Sequence, residues 1–205
     1  MISISILNIK DETNKIQEVD NLNPEYVHID IMDGKFVSNY TEMLNLPSIN
    51  SKRDIHLMVF DIKGYIDVYK KYNPEYITFH YEATDDIIGT IDYIHSLGIK
   101  AGVSIKPNTN IESILTYLDK VDLVLVMSVE PGAGGQEFIS ASEDKINKLY
   151  ELRTNNNYHY MIEVDGGINN ITKNKCKNAD ILVVGSYITK SDNPKERYES
   201  MLKEY

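Results

Sequence analysis

Short apolar runs recur along the chain: ISIL (4–7), YVHIDI (26–31), DIHLMV (54–59), YITFH (76–80), KAGVSI (100–105), LVLVM (123–127), YMIEV (160–164) and ILVVG (181–185). Their shortness and their β-branched and aromatic bias predict eight buried strands. Between most of them lie segments in which apolar residues return every third or fourth position. DETNKIQEVDNL (11–22), DIKGYIDVYKKY (61–72), DDIIGTIDYIHSLG (85–98), NIESILTYLDK (110–120) and SASEDKINKLYELR (140–153) therefore predict helices. The connection 35–53 is the least regular, with Pro47 and few helix signals. An internal echo, NPEYVHID (23–30) against NPEYITFH (73–80), marks a repeated unit in which proline stops a helix and a strand begins. Strand and helix thus alternate throughout, an α/β pattern. Eight units without an evident break predict one domain over 1–205, a (β/α)8 TIM barrel near the short end of its length range. An open doubly wound sheet is the alternative.

One run breaks the apolar rule. In YVHIDI, residues two apart point to the same side, so His28 and Asp30 face one way while Val27, Ile29 and Ile31 face the other. Burying that polar face is costly unless it meets a partner. The C-terminal strand ends form the active face of such a barrel, and here they read Ser5, His28 with Asp30, His56, His80 with Glu82, Met127, Asp165 and Ser186. Spread over three strands, His28, Asp30, His56 and Asp165 combine imidazole and carboxylate in a set that suits Zn, Fe, Mn or Co. The competing reading makes each a separately hydrogen-bonded polar residue near a strand end. Four on one rim favour convergence.

Glycines form a second cluster: EPGAGGQ (130–136), DGG (165–167) and VGS (184–186) follow the sixth, seventh and eighth strands. Glycine lets backbone N–H groups approach an anion, and the loops after the last two barrel strands are a frequent phosphate site. Taken singly, DGG or VGS reads as an ordinary turn. The stretch DIKGYID (61–67) has the look of a decarboxylase Asp-x-Lys-x-x-Asp array, but its second acid comes one residue late. Asp61 reads better as a helix cap and Lys63 as a solvated residue.

Composition narrows the partners. The 21 Lys and Arg against 31 Asp and Glu give a net charge of −10 without a basic cluster, which argues against nucleic acid. No apolar stretch reaches membrane-span length, the start MISISILNIKD is too short for a signal peptide, and a cytoplasmic protein is expected. The single cysteine, Cys176, fits a reducing compartment and reads as a packing residue. Oligomeric state is open, with a homo-oligomer admitted.

The stretches SIL (5–7), VHIDIMDGKFVSN (27–39), DIHLMV (54–59), YITFHYEAT (76–84), LVLVMSVEPGAGGQEFI (123–139), IEVDGGI (162–168) and VVGS (183–186), in this order, resemble the ribulose-phosphate 3-epimerases. That resemblance implies a (β/α)8 barrel that interconverts the ketose phosphates D-ribulose 5-phosphate and D-xylulose 5-phosphate with a bound divalent metal. It further implies that His28, Asp30, His56 and Asp165 hold the metal and that Asp30 and Asp165 double as the acid and base pair. Ser5, His56 and Asp165 would contact substrate, with Met32, Met58 and Met127 lining the reaction centre. Gly132, Ala133, Gly134, Gly135, Gly166, Gly167, Gly185 and Ser186 would form the phosphate cradle. Inverting a carbon beside a ketone needs a proton to leave one face and another to arrive on the opposite face, which two carboxyl groups can supply. The family usually has His at Lys35, Pro at Ser38, Phe at Ala133 and a Gly-Pro pair near Glu42 and Met43. These departures border the substrate and leave a hexulose 6-phosphate such as allulose 6-phosphate as an alternative. A non-catalytic sugar-phosphate-binding barrel is a further one, disfavoured because both carboxylates are present.

Overall fold

The computed structural model describes residues 1–7, 12–41 and 45–203. Among them, eight parallel strands close in sequence order into a barrel: β1 (Ile2–Ser5), β2 (Tyr26–Met32), β3 (Lys52–Met58), β4 (Tyr76–His80), β5 (Lys100–Ile105), β6 (Leu123–Met127), β7 (Met161–Asp165) and β8 (Ile181–Val184). β1 pairs with both β2 and β8, which makes this the expected (β/α)8 barrel and excludes the open sheet. β1 lies two residues earlier than the ISIL run suggests, a register that sets Ser5 beside His28.

Helices α1 (Glu12–Asp20), α2 (Ile62–Tyr69), α3 (Ile87–Ser96), α4 (Ser142–Asn156), α5 (Ser186–Thr189) and α6 (Pro194–Leu202) surround the strands. Asp61 caps α2 by accepting from the Gly64 amide, and Asp86 caps α3 through the Gly89 amide, as short acids at helix starts do. Lys63 is exposed, so DIKGYID has the structural role read from its sequence. NIESILTYLDK departs from expectation: its core, Ile111–Tyr117, is a 3-10 helix. The apolar spacing that buries Ile111, Ile114 and Leu118 serves a tight helix as well as an α-helix. Between β2 and β3 the described residues hold no helix; Glu42 and Met43 lie outside them. No helix of the described residues is long and apolar enough to cross a membrane.

The strands bury both faces. Val27, Ile29 and Ile31 join Ile55, Leu57, Ile77, Phe79, Val124, Val126, Ile162 and Val164 in the core under the helices. Inside the barrel, Tyr26, Tyr76, Leu123, Leu125, Met127 and Ile181 form a separate apolar cluster. The NPEY echo builds its base: Asn23 and Asn73 take left-handed conformations (φ 54° and 51°) that end each turn. Tyr26 and Tyr76 then meet with ring centroids 5.8 Å apart. Glu25 pairs with Lys52 at 2.7 Å and Glu75 with Lys100 at 2.6 Å, and each lysine lies over the tyrosine of its unit.

Candidate active site

Strand register assembles the polar rim. It aligns Asp30 with His56 and Met127 with Asp165, as well as Ser5 with His28. Asp30 Oδ1 lies 3.1 Å from His56 Nδ1 and 3.3 Å from His28 Nε2, and its Oδ2 accepts from Ser5 Oγ at 2.9 Å. Asp165 Oδ2 is 3.9 Å from His28 Nε2. One ligand atom from each of His28, Asp30, His56 and Asp165 lies within 4.8 Å of all the others, so the convergence expected from three separate strands is present.

This arrangement fits a cation. His28 Nε2 is buried, meets no hydrogen-bond geometry with any described residue, and is aimed between two carboxylates. Two imidazole nitrogens and two carboxylate oxygens make a donor set suited to a divalent transition metal. Both histidines are fully buried, whereas the Asp165 side chain is 19% exposed; the carboxylates, not the rings, therefore reach the adjoining cavity. That cavity is lined by Ser5, Asp30, Met58, Met127, Gly132, Ala133, Gly134, Gly135, Asp165, Gly166, Gly167, Gly185 and Ser186. Met32, expected beside Met58 and Met127, is buried at the end of β2, aligned with Met58, and is not part of that lining. No Lys or Arg of the described residues lines the cavity.

Charge is distributed unevenly. Burial pushes the Asp30 carboxyl up, but the His28 charge and the close approach of both imidazoles overcome this and hold it well below the usual carboxylate range. Burial and the Asp30 charge instead push Asp165 up to about 6. Burial works against a charged His28, yet Asp54 and Asp30 together hold its imidazole well above the usual histidine value.

Sequence reasoning assigned no role to the polar residues one layer deeper. Asp54 Oδ2 receives His28 Nδ1 at 2.6 Å and accepts from Ser3 Oγ at 3.0 Å. Glu163, fully buried, lies against Asp54; burial and the Asp54 charge hold it well above the usual carboxylate range. The available signal was period-two alternation, because Asp54 and Glu163 precede His56 and Asp165 by two residues and share their faces. A fourth strand also contributes: His80 Nε2 lies 2.9 Å from His56 Nε2, and His80 Nδ1 lies 3.2 Å from Glu82 Oε2. Burial pushes His80 down to about 4, keeping it neutral, whereas Glu82 is held at about 2, its burial outweighed by hydrogen bonds from His80, Thr109 and the Lys106 amide.

The loop after β2 folds over the rim. Asp33 accepts from the amides of Lys35, Phe36 and Phe60, and Asn39 Nδ2 donates to the Gly132 carbonyl at 2.6 Å. Lys35 and Ser38 on this loop are exposed, while the Ala133 carbonyl accepts from Gln136 Nε2. Away from the rim, Cys176 is buried, its thiol pushed up to about 12 by burial, in keeping with a packing role.

Comparison with solved structures supports the fold. The tryptophan synthase alpha-subunit of Pyrococcus furiosus superposes with a TM-score of 0.70 at 11% identity, over 98% of this chain and 96% of that one. KGPDC from Streptococcus mutans gives 0.64 at 13% identity, over 97% and 93%. Sequence comparison goes further. The ribulose-phosphate 3-epimerase of Mycobacterium tuberculosis is 37% identical over 179 residues, covering 83% of this chain and 77% of the relative. That of Helicobacter pylori is 34% identical over 198 residues, covering 90% and 89%. The profile of the Ribulose-phosphate 3 epimerase family matches residues 1–189. With its motifs spread over seven strands of one barrel, the chain belongs to the ribulose-phosphate 3-epimerase family.

Proposed function

We propose that this chain is a metal-dependent 3-epimerase of a ketose phosphate, converting D-ribulose 5-phosphate to D-xylulose 5-phosphate in the cytoplasm. The observation that carries the reading is the convergence of His28, Asp30, His56 and Asp165, with ligand atoms within 4.8 Å of one another and both carboxyls lining the cavity. In the metal-free site Asp30 is held low and Asp165 is pushed up to about 6. Two carboxyls whose surroundings separate their affinities for a proton suit an acid and base pair. One withdraws the proton from C3, leaving a planar enediolate, and the other returns a proton to the opposite face. Ser5 fixes the Asp30 carboxylate through its Oδ2, leaving Oδ1 toward the two histidines. Bound to His28, Asp30, His56 and Asp165, a divalent cation would supply Lewis-acid stabilisation for negative charge developing on the sugar oxygens. Met58 and Met127 give the cavity an apolar wall, while the glycine loops offer backbone amides to the phosphate.

A coupled assay of the purified protein against pentulose 5-phosphates and hexulose 6-phosphates in D₂O tests this reading. The expected result is faster turnover of D-ribulose 5-phosphate, with deuterium at C3 of the product from the first turnover. Preference for allulose 6-phosphate would transfer the assignment to the hexulose substrate, consistent with the altered rim at Lys35, Ser38 and Ala133. Product without solvent deuterium at C3 would overturn the two-carboxyl mechanism.

A further inference from the structure

The two histidines of the rim are held by different partners on the side away from the carboxylates. His28 turns Nε2 toward Asp30 and Asp165 and gives Nδ1 to Asp54 at 2.6 Å. His56 is reversed: Nδ1 lies 3.1 Å from Asp30 Oδ1, and Nε2 lies 2.9 Å from His80 Nε2. The ring nitrogen of His56 available to a cation at the rim is therefore Nδ1, since Nε2 faces His80.

We propose that His80 and Glu82 are positioning residues that fix the tautomer and ring orientation of His56 for metal binding. The inference rests on the metal centre proposed above. A neutral His56 that gives its Nδ1 lone pair to a metal carries its hydrogen on Nε2 and must donate it. The acceptor in place is His80 Nε2, so His80 carries its own hydrogen on Nδ1 and donates it to Glu82 Oε2 at 3.2 Å. Glu82 is anchored independently, because its Oε1 accepts from the Lys106 amide at 2.8 Å and from the Thr109 hydroxyl. Every hydrogen along Glu82–His80–His56 then has one consistent position, ending on the lone pair that faces Asp30. The reverse assignment would put a hydrogen on His56 Nδ1, where the metal should bind. The His80 ring also packs against Phe36, with ring centroids 4.7 Å apart, and its centroid lies 4.9 Å from that of His56 at a 33° tilt. These contacts lock the His80 ring, and a fixed second partner of this kind orients a metal-ligating histidine.

The test combines spectroscopy of the parent with two variants. Long-range ¹H–¹⁵N correlation spectra of the Zn²⁺-loaded parent should show His56 protonated on Nε2 and His80 on Nδ1. His80→Phe, which keeps an aromatic ring but loses the acceptor, should weaken Zn²⁺ binding by about 10–100-fold in competition with a chromophoric chelator. It should also alter the visible spectrum of the Co²⁺-loaded protein. His80→Gln, whose side-chain oxygen reaches the position of the lost nitrogen, should restore most of the affinity. A parent with His56 protonated on Nδ1 in the Zn²⁺ form would overturn the proposal, as would unchanged Zn²⁺ affinity in a folded His80→Phe. A parent that takes up no Zn²⁺ or Co²⁺ would instead overturn the metal centre on which the inference rests.

Discussion

Metal uptake should displace protons, and the count should change with pH. In the metal-free protein His28 is held well above the usual histidine value between Asp54 and Asp30, so at pH 7 its Nε2 retains a hydrogen. A cation needs that nitrogen's lone pair, so binding at neutral pH should release about one proton. Below about 6, Asp165 is protonated as well, and a second proton must leave. The sign follows: affinity rises with pH, because both groups bind protons in competition with the metal. It should fall about tenfold from pH 7 to 6 and about a further hundredfold by pH 5, a total near 4 kcal/mol. Isothermal titration of Zn²⁺ into metal-free protein, in buffers of differing ionisation enthalpy, counts the protons directly. In Asp165→Asn the second proton step should vanish and the first remain. A count of zero at pH 7, or an affinity independent of pH between 5 and 7, would show that the buried acids do not hold a proton on His28, and the electrostatic account of the site would fail.

Two further outcomes follow from the same geometry. Asp30→Asn and Asp165→Asn should each lower kcat by about 10³-fold, within the range for lost acid–base groups, and metal content measured alongside separates proton transfer from ligand loss. Gly166 has φ +122°, and a Cβ there would meet Val129 Cγ2 at 2.5 Å and its backbone nitrogen at 2.9 Å. Backbone strain and overpacking in Gly166→Ala should together cost about 2–5 kcal/mol, lowering Tm by about 5–15 °C in a scan of the metal-free protein; a fall below 2 °C would contradict the contact.

The sequence made the barrel legible because its strands are short, apolar and evenly spaced, and because NPEY repeats where two strands begin. It made the rim legible because His28 and Asp30 interrupt an otherwise apolar strand on one face. Asp54 escaped notice since a polar residue that opens an apolar run resembles a strand boundary, and Glu163, in the middle of β7, since one isolated acid makes no pattern. Only closure of the sheet shows that Asp54 is fully inside and within reach of Ser3, His28 and Glu163. The tautomer chain was illegible for a related reason: His80 and Glu82 stood among the polar strand ends, but the reversed orientation of His56 depends on ring rotation. The 3-10 helix at Ile111–Tyr117 shows the limit of periodicity, because apolar spacings of three and four do not separate the two helix types.

Closing the sheet explains why so many polar groups can sit inside it. Strand backbone groups pair with neighbours around the ring, and the outward faces carry the apolar packing under the helices. Inward positions are then free to be polar wherever they satisfy one another. Here they divide by strand. β2, β3, β4 and β7 send His28, Asp30, Asp54, His56, His80, Glu163 and Asp165 inward, whereas β6 sends Leu123, Leu125 and Met127. The cavity therefore has a charged wall of Asp30 and Asp165 and an apolar wall that includes Met58, Met127 and Val183. Apolar surface beside the carboxyls offers an ionised group no hydrogen bonds, which raises the cost of placing charge there. Met127, beside Asp165 in the β6–β7 register, is part of the burial that pushes Asp165 up, and a cation or a proton reaching that carboxylate would relieve the cost.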